Sequence, residues 1–589
     1  MNKLWTTLGC TALLAVVSAP ALAATDHADT GSRADATFKA LYTREWNWRQ
    51  AQFDRDAGEH GPDHLPRISP AVQVRREHYW ANVLDKLKAI PVDKLSAANQ
   101  TNYKVYIYQI RSLLSDQKFQ VWQMPFNGDT GFWTTLGASA RRHFDDAGDY
   151  RNYLDRLRDV PRYFKQEMAN MRLGLDRGFS QPAVVVNGIK GSIASVIDAK
   201  GKANLFYTPF KDMPEGMSDA QKNKLRTQAL EVIKTDIMPS YKKLLGFMND
   251  VYLPNARDSI AAYDQPDGKA FYASRIYKFT TLDLTPKQIH QIGLKAMAGI
   301  HEEMLATIEK SGFKGDFQQF LHFLRTDPRF YAKSPEELLK DAAWIAKEID
   351  GKIGNYIGRM PRARYAIKPV PASLAPFYTG GRGGPGVYFV NTYNLPVRKL
   401  YSLPALTLHE AEPGHATQMP LAAELKGLPD FRRYYYISAY GEGWALYCEY
   451  LGVEMGIYHT PYQYFGYLSY QAWRAARLVV DTGIHAMGWS RDKAVRYMRN
   501  NTALAEHEIQ TEVTRYIAWP GQALAYYLGE RDIRQQRERA EKALGDKFDL
   551  RAFHDAVLST GSVPLPVLNE RITRFIDSGG QSPYANDQD

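Results

Sequence analysis

The sequence predicts a mainly α-helical fold, and three observations carry that expectation. Apolar residues recur at helical period along most of the 589 residues. Several of these segments open on a hydroxyl residue with Gln or Glu three positions later, the reciprocal pattern that satisfies the free N–H groups of a first helical turn. Helix-breaking composition is gathered in one place, near residue 360, and is not scattered along the chain.

Capping boxes are expected at Ser218 with Gln221, Thr285 with Gln288 and Ser334 with Glu337, each heading an apolar pattern of helical period. Further helices are expected over residues 34–57, 70–117, 147–176, 435–456, 461–487, 491–500 and 520–543. The stretch "MPRARYAIKPVPASLAPFYTGGRGGPGVYFVNTYNLP" interrupts them with proline, glycine and tyrosine, and within it "GVYFVNTYN" reads as a short strand. The expected organisation is a leader over 1–23, a helical N-terminal half over 24–360 and a catalytic half over 361–589. The two halves wall one deep cleft. There is no repeat of 20–50 residues and no low-complexity tract.

The first residues, "MNKLWTTLGCTALLAVVSAPALAATDHADT", combine a lysine, an apolar run and Ala21-Leu22-Ala23, as a secretory signal peptide cut after about Ala23 does. The apolar run continues past Cys10 and few residues precede it, so "TLGC" is not read as a lipidation site. No later stretch has the roughly 20 apolar residues of a membrane-spanning helix. The expectation is an exported, soluble, periplasmic protein. Loss of Cys10 would leave Cys448 as the only cysteine, an inert core thiol with no disulfide partner. The hydrophobic content of 44% and charged content of 23% are those of a globular chain. The formal charge of +10 is dispersed among mixed-sign segments, which excludes a nucleic-acid stripe.

The chemistry concentrates in "TLHEAEPGHATQ", residues 407–418. Two histidines four apart on a helix share a face and can hold zinc beside a glutamate. Here His415 follows His409 by six residues, an advance of about 600° that leaves it some 120° off the face. A straight helix cannot use both. Pro413 lacks the N–H a helix needs and Gly414 accepts almost any backbone geometry, so two residues can be extruded and the histidines brought together. A third ligand is then required. "SAYGEGWALYCEYLG" offers Glu442, with Glu449 two turns later on the same face as a partner behind the metal shell. His485, one turn after Asp481 in "VVDTGIHAMGW", is the alternative ligand, or else a satisfied helix histidine or a donor near the substrate.

These motifs, with "DGKAFYASRIYKFTTLDLTPKQIHQIGL", "RYIAWPGQALAYYLGE" and "FHDAVLSTGSVPLPVLNERI", resemble the bacterial domain-of-unknown-function family numbered 885, and the likeness covers most of the chain beyond the leader. That family is grouped with helical zinc metallopeptidases whose third ligand is a glutamate on a downstream helix. The resemblance implies a metallopeptidase-like fold with a small β element beside the zinc helix, His409, His415 and Glu442 as zinc ligands, and Glu410 as general base.

Other stretches suit a peptidase cleft. "GGRGGPGVYFVNTYN" lacks the Gly-Lys-Ser/Thr of a phosphate loop, and its strand, with Tyr388, is expected to pair with an extended peptide; Arg382 lies beside it. "TEVTRYIAWPGQALAYYLG" supplies Tyr516 as oxyanion donor, Arg515 as a carboxylate anchor, and Gln522 and Tyr526 as substrate contacts. With Arg474, the arginines fit a carboxypeptidase or dipeptidase acting on short peptides. The competing readings are a metal-dependent hydrolase of a non-peptide amide or ester, a peptide-binding protein without turnover, and a structural envelope protein.

Overall fold

The computed structural model describes residues 24–53, 61–128, 130–372, 375–377 and 379–585, so the leader read at 1–23 lies outside the described residues. Among the described residues the fold is mainly helical with one small three-stranded sheet. Ser218 and Thr285 each accept from the backbone N–H three residues on, and Gln221 and Gln288 bond back to their N–H groups. Ser334 also caps its helix, but Glu337 turns its carboxylate to the N–H of Lys333 at 2.5 Å, so the reciprocal half of that box is missing.

Several helix limits differ from those expected. The 70–117 segment is two helices, Pro70–Lys88 and Ala97–Lys118. Pro91 interrupts it, and Ser96 restarts the second helix by accepting from the N–H of Asn99. The 147–176 segment likewise divides into Ala147–Arg158 and Val160–Asp176 at Asp159, with Pro161 in the first turn of the second helix. The expected 520–543 helix runs from Ala525 to Leu544 behind the Pro520-Gly521 turn, and the 435–456 helix from Ser438 to Glu454. The Pro461–Met487 helix agrees with expectation, and Arg491–Asn501 extends one residue further.

The two largest apolar clusters each draw on residues from both sides of position 360. One joins Phe126–Phe330 to residues such as Tyr401, Phe465 and Ile517; the other joins Phe38, Trp80 and Tyr106 to Trp444, Phe553 and Phe575. Helix therefore packs on helix across the predicted division.

In the sheet, β1 (Ala366–Pro369) runs parallel to β3 (Val387–Val390), and β2 (Gly381–Gly384) runs antiparallel to it on the other side. The strand read from "GVYFV" is thus the central one. Both of its edges are paired, so it cannot add a peptide strand. Tyr388 is fully buried, with its hydroxyl 3.4 Å from that of Thr407, and lines no cleft. Strand order is a long-range property, and the local pattern that reveals a strand does not say whether its edges are free.

The Ser438–Glu454 helix, hereafter the glutamate helix, meets the Ala525–Leu544 helix almost backbone to backbone. A Cβ on Gly443 would lie 2.5 Å from the carbonyl carbon of Gly529, and one on Gly529 would lie 2.0 Å from the carbonyl oxygen of Ala439. Gly299 sits exposed in the Pro286–Lys310 helix with nothing within 4 Å of its would-be Cβ. Gly529→Ala is therefore expected to destabilise by about 1–3 kcal/mol through overpacking. Gly299→Ala is expected to stabilise by about 0.4–1 kcal/mol through the unfolded chain. Thermal denaturation of both variants checks this, and equal shifts in Tm would contradict the close crossing.

Candidate metal centre

The helix Leu403–Glu410 stops after Glu410 and a second helix starts at His415. Between them the chain makes a tight loop through a cis Glu412–Pro413 bond. The N–H of Ala411 still reaches the carbonyl of Thr407 at 2.8 Å, and the N–H of Ala416 returns to the carbonyl of Ala411 at 3.1 Å. Two residues more than a single turn are thus spooled out and the helical course resumes. The indole N–H of Trp444, on the glutamate helix, donates to the carbonyl of Pro413 at 2.8 Å and pins the loop. A Cβ on Gly414 would fall 1.9 Å from the carbonyl oxygen of His409, so only glycine permits the return. Glu412 points away, accepting from the hydroxyl of Tyr365 at 2.9 Å, and burial pushes its carboxyl up to about 7.

The consequence is convergence. Nε2 of His409 and Nε2 of His415 lie 3.6 Å and 3.3 Å from the same oxygen of Glu442, and the two rings stand nearly perpendicular at 5.0 Å. The donor atoms of the three residues all lie within 4.8 Å of one another, a spread that one cation can bridge. Both histidines are buried and Glu442 is half-buried. Nδ1 of His409 faces a carboxylate oxygen of the fully buried Glu449 at 2.8 Å, which orients the ring and leaves Nε2 directed at Glu442. Burial by itself would lower the His409 pKa. Hydrogen bonds to Glu442 and Glu449, with the charge of Glu410 added, reverse that and push it up to about 10. Although burial disfavours a charged carboxylate, the two histidines hold Glu442 well below the usual range. The pocket therefore favours positive charge at the His409 imidazole, which a proton or a metal ion can supply. A nitrogen, nitrogen and oxygen set with a carboxylate behind one histidine fits zinc.

Glu410 is half-buried beside this cluster, and its carboxylate accepts from the N–H of Gly383 on β2 at 2.6 Å. A Cβ on Gly383 would come within 1.7 Å of the Glu410 carbonyl oxygen, so the glycine strand is what lets the sheet touch the motif. Arg382, the residue before it on that strand, is exposed.

The remaining expected residues divide. Tyr526 stacks on His409 at 6.5 Å between ring centroids, and its hydroxyl accepts from Arg515 at 3.2 Å. Arg515 also donates to Gln522 at 3.0 Å, so these three form one connected group beside the centre. Tyr516 does not join it. Its buried hydroxyl accepts from Trp473 and Arg477, both at 3.0 Å, and the Arg477 guanidinium lies between it and the ring of Tyr526. The oxyanion-donor role expected of Tyr516 has no geometric support. His485 is neither a ligand nor a substrate contact. Nδ1 accepts from the N–H of Ala262 at 3.1 Å and Nε2 donates to the carbonyl of Tyr516 at 2.9 Å, while burial pushes the imidazole down to about 3. Its companion Asp481 is buried and bound to Tyr272 and the N–H of Gly521. Arg474 is buried behind Glu449 at 3.5 Å and stacked on Trp473, out of reach of a substrate carboxylate. Cys448 is a buried free thiol.

One residue at the centre had no sequence signal beyond its place in the run "YYY". Tyr436, 38% exposed, donates to the second oxygen of Glu442 at 2.9 Å and lies 6.3 Å from the ring of His415. Gly441 makes room for it, since a Cβ there would lie 2.2 Å from the tyrosine ring.

Fold and site together define a large helical protein with a buried cluster of two histidines and a glutamate. The chain belongs to the family described as "Bacterial protein of unknown function" (DUF885), which matches residues 53–572. It is similar to a "putative lipoprotein" from Colwellia psychrerythraea, with 27% identity and a TM-score of 0.85 over 94% of this chain and 99% of that one. A "putative lipoprotein of unknown function" from Shewanella oneidensis shares the fold at a TM-score of 0.66 and 20% identity, over 93% of this chain and 98% of that one. No curated protein matches the sequence. Among the described residues no helix is long and apolar enough to cross a membrane.

Gly414→Ala should retain the helical circular dichroism but lower the apparent affinity for added zinc by about tenfold or more, the scale on which misoriented ligands act. Competition against a chromogenic chelator measures it, and unchanged affinity would mean that the loop does not set the convergence.

Proposed function

We propose that this protein is an exported zinc-dependent peptidase that hydrolyses short peptides. The observation that carries the reading is the convergence of His409, His415 and Glu442 on one point with the carboxylate of Glu410 beside it. A site for binding alone needs no further carboxylate next to the cation, whereas hydrolysis needs a group to take and return a proton. The leader over residues 1–23 and the likeness to a "putative lipoprotein" support export.

His409, His415 and Glu442 would hold the zinc, which supplies Lewis-acid polarisation of the scissile carbonyl and acidifies the attacking water. Glu410 accepts the proton of that water and returns it to the leaving amine. The N–H of Gly383 holds the carboxylate in place for both transfers. Glu449 keeps the His409 N–H engaged on the far side of the ring. Tyr436 and Tyr526 are the tyrosines placed beside the reacting group, and Tyr436, at the more open side, is the hydroxyl able to turn from Glu442 toward a developing oxyanion. Arg515, fixed by Gln522 and Tyr526 and paired with Glu512 at 3.5 Å, is the cation of that wall.

Glu410→Gln is expected to retain zinc and fold while lowering turnover of a cleaved peptide by about 10²–10⁴. His409→Ala, His415→Ala and Glu442→Ala should each lose the metal. Zinc analysis and a peptide-library digest on the same preparations test this. Full turnover by the Gln variant, or full metal content in all three alanine variants, would contradict the proposal.

A further inference from the structure

A chamber of about 630 Å³ lies between the Val160–Asp176 and Gly268–Thr280 helices and the turn after Ala518. That volume is in the range of pockets that enclose a small organic ligand, about 300–1,000 Å³. Its walls are largely aromatic and aliphatic: Phe126, Phe132, Leu136, Phe279 and Trp519 line it. Phe279 and Trp519 form the side toward the metal centre. Their rings meet edge to face at 5.8 Å, and Phe279 shares an apolar cluster with Leu446 and Tyr526, the tyrosine stacked on His409. Aromatic contacts thus run from the chamber wall through Tyr526 to His409.

The charge carried by the Gly268–Thr280 helix at this wall is unbalanced. Arg275 and Lys278, one turn apart and both lining the chamber, share a single carboxylate, Asp116, at 2.8 Å and 2.5 Å. Two cations against one anion leave about one unit of positive charge beside apolar walls, where a carboxylate gains most from it. Burial and the neighbouring Arg275 pull the Lys278 ammonium below its ordinary range in spite of Asp116, as under-compensated charge requires. The other acid at the wall, Glu167, is 5% exposed, and burial pushes it up to about 8, so at neutral pH it is mostly protonated and does not repel an anion.

We propose that the chamber seats an apolar, aromatic-sized group bearing a free carboxylate, held at Lys278 and Arg275. If the peptidase reading holds, on which this assignment of substrate class rests, the ligand is the C-terminal residue of a short peptide.

The test is calorimetric titration of the full chain with N-acetylphenylalanine and with its C-terminal amide, beside zinc analysis and a cleavage assay. The free acid should bind at least about tenfold more tightly than the amide. Lys278→Met, which keeps the stem and removes the charge, should erase most of that preference without changing zinc content. Leu136→Trp, which fills the chamber, should abolish binding of both, with near-ultraviolet circular dichroism showing whether the fold is kept. Absence of binding, equal affinity for acid and amide, or an unaltered preference in Lys278→Met would overturn the assignment. Acid-selective binding by a chain that cleaves nothing would keep the chamber and remove the peptidase reading. Cleavage indifferent to Lys278→Met and to amidation would do the reverse.

Discussion

How the chain leaves a helix at Glu410 and re-enters one at His415 decides what the rest of the centre can be. A helix cannot bring residues six apart to one face, and here the loop that takes up the two surplus residues is held by the Pro413 carbonyl tied to Trp444 and by Gly414 pressed against the His409 carbonyl. The hydrogen bond from Trp444 has a net value of about 1 kcal/mol, whereas a Cβ at Gly414 would require backbone to move. Steric exclusion, more than attraction, therefore sets the loop. Once the loop is made, the glutamate helix has to approach closely enough for Glu442 and Glu449 to reach from two levels, and Gly452 allows it by leaving room for Leu408.

Burial then gives each charged group a different character. Glu449 is wholly enclosed and serves His409 from behind; Glu442 is half-buried and faces both imidazoles; Glu410, also half-buried, is held by a backbone donor. Three carboxylates in one neighbourhood would repel strongly at low dielectric without positive charge among them. The arrangement is stable because the His409 imidazole lies between Glu442 and Glu449, and Arg474 backs Glu449 from the other side.

The helices were legible because caps and apolar period are local, and the errors fell where tertiary position decides. Pro91 and Pro161 were visible in the sequence, yet a continuous apolar pattern on either side concealed the breaks they mark. "HEAEPGH" disclosed its own loop through proline and glycine. His485 and Tyr516 share helices with charged neighbours, and a helical stripe does not say whether it faces a cleft or the core; both are satisfied inside. The residues around Tyr388 mark a strand but not its place in the middle of the sheet. Tyr436 went unseen because its role depends on a gap left by Gly441, five residues away, and a missing Cβ has no signature until the chain is folded.

Cys448 gives the molecule a property of its own. The thiol is enclosed in the glutamate helix next to Glu449, and burial raises it well above the ordinary range, so it is poorly nucleophilic while the helix stays closed. Alkylation at this position has to wait until the helix carrying two of the centre's carboxylates parts from its neighbours. The chain thereby contains its own clock for that opening, readable by thiol-labelling kinetics without any introduced probe.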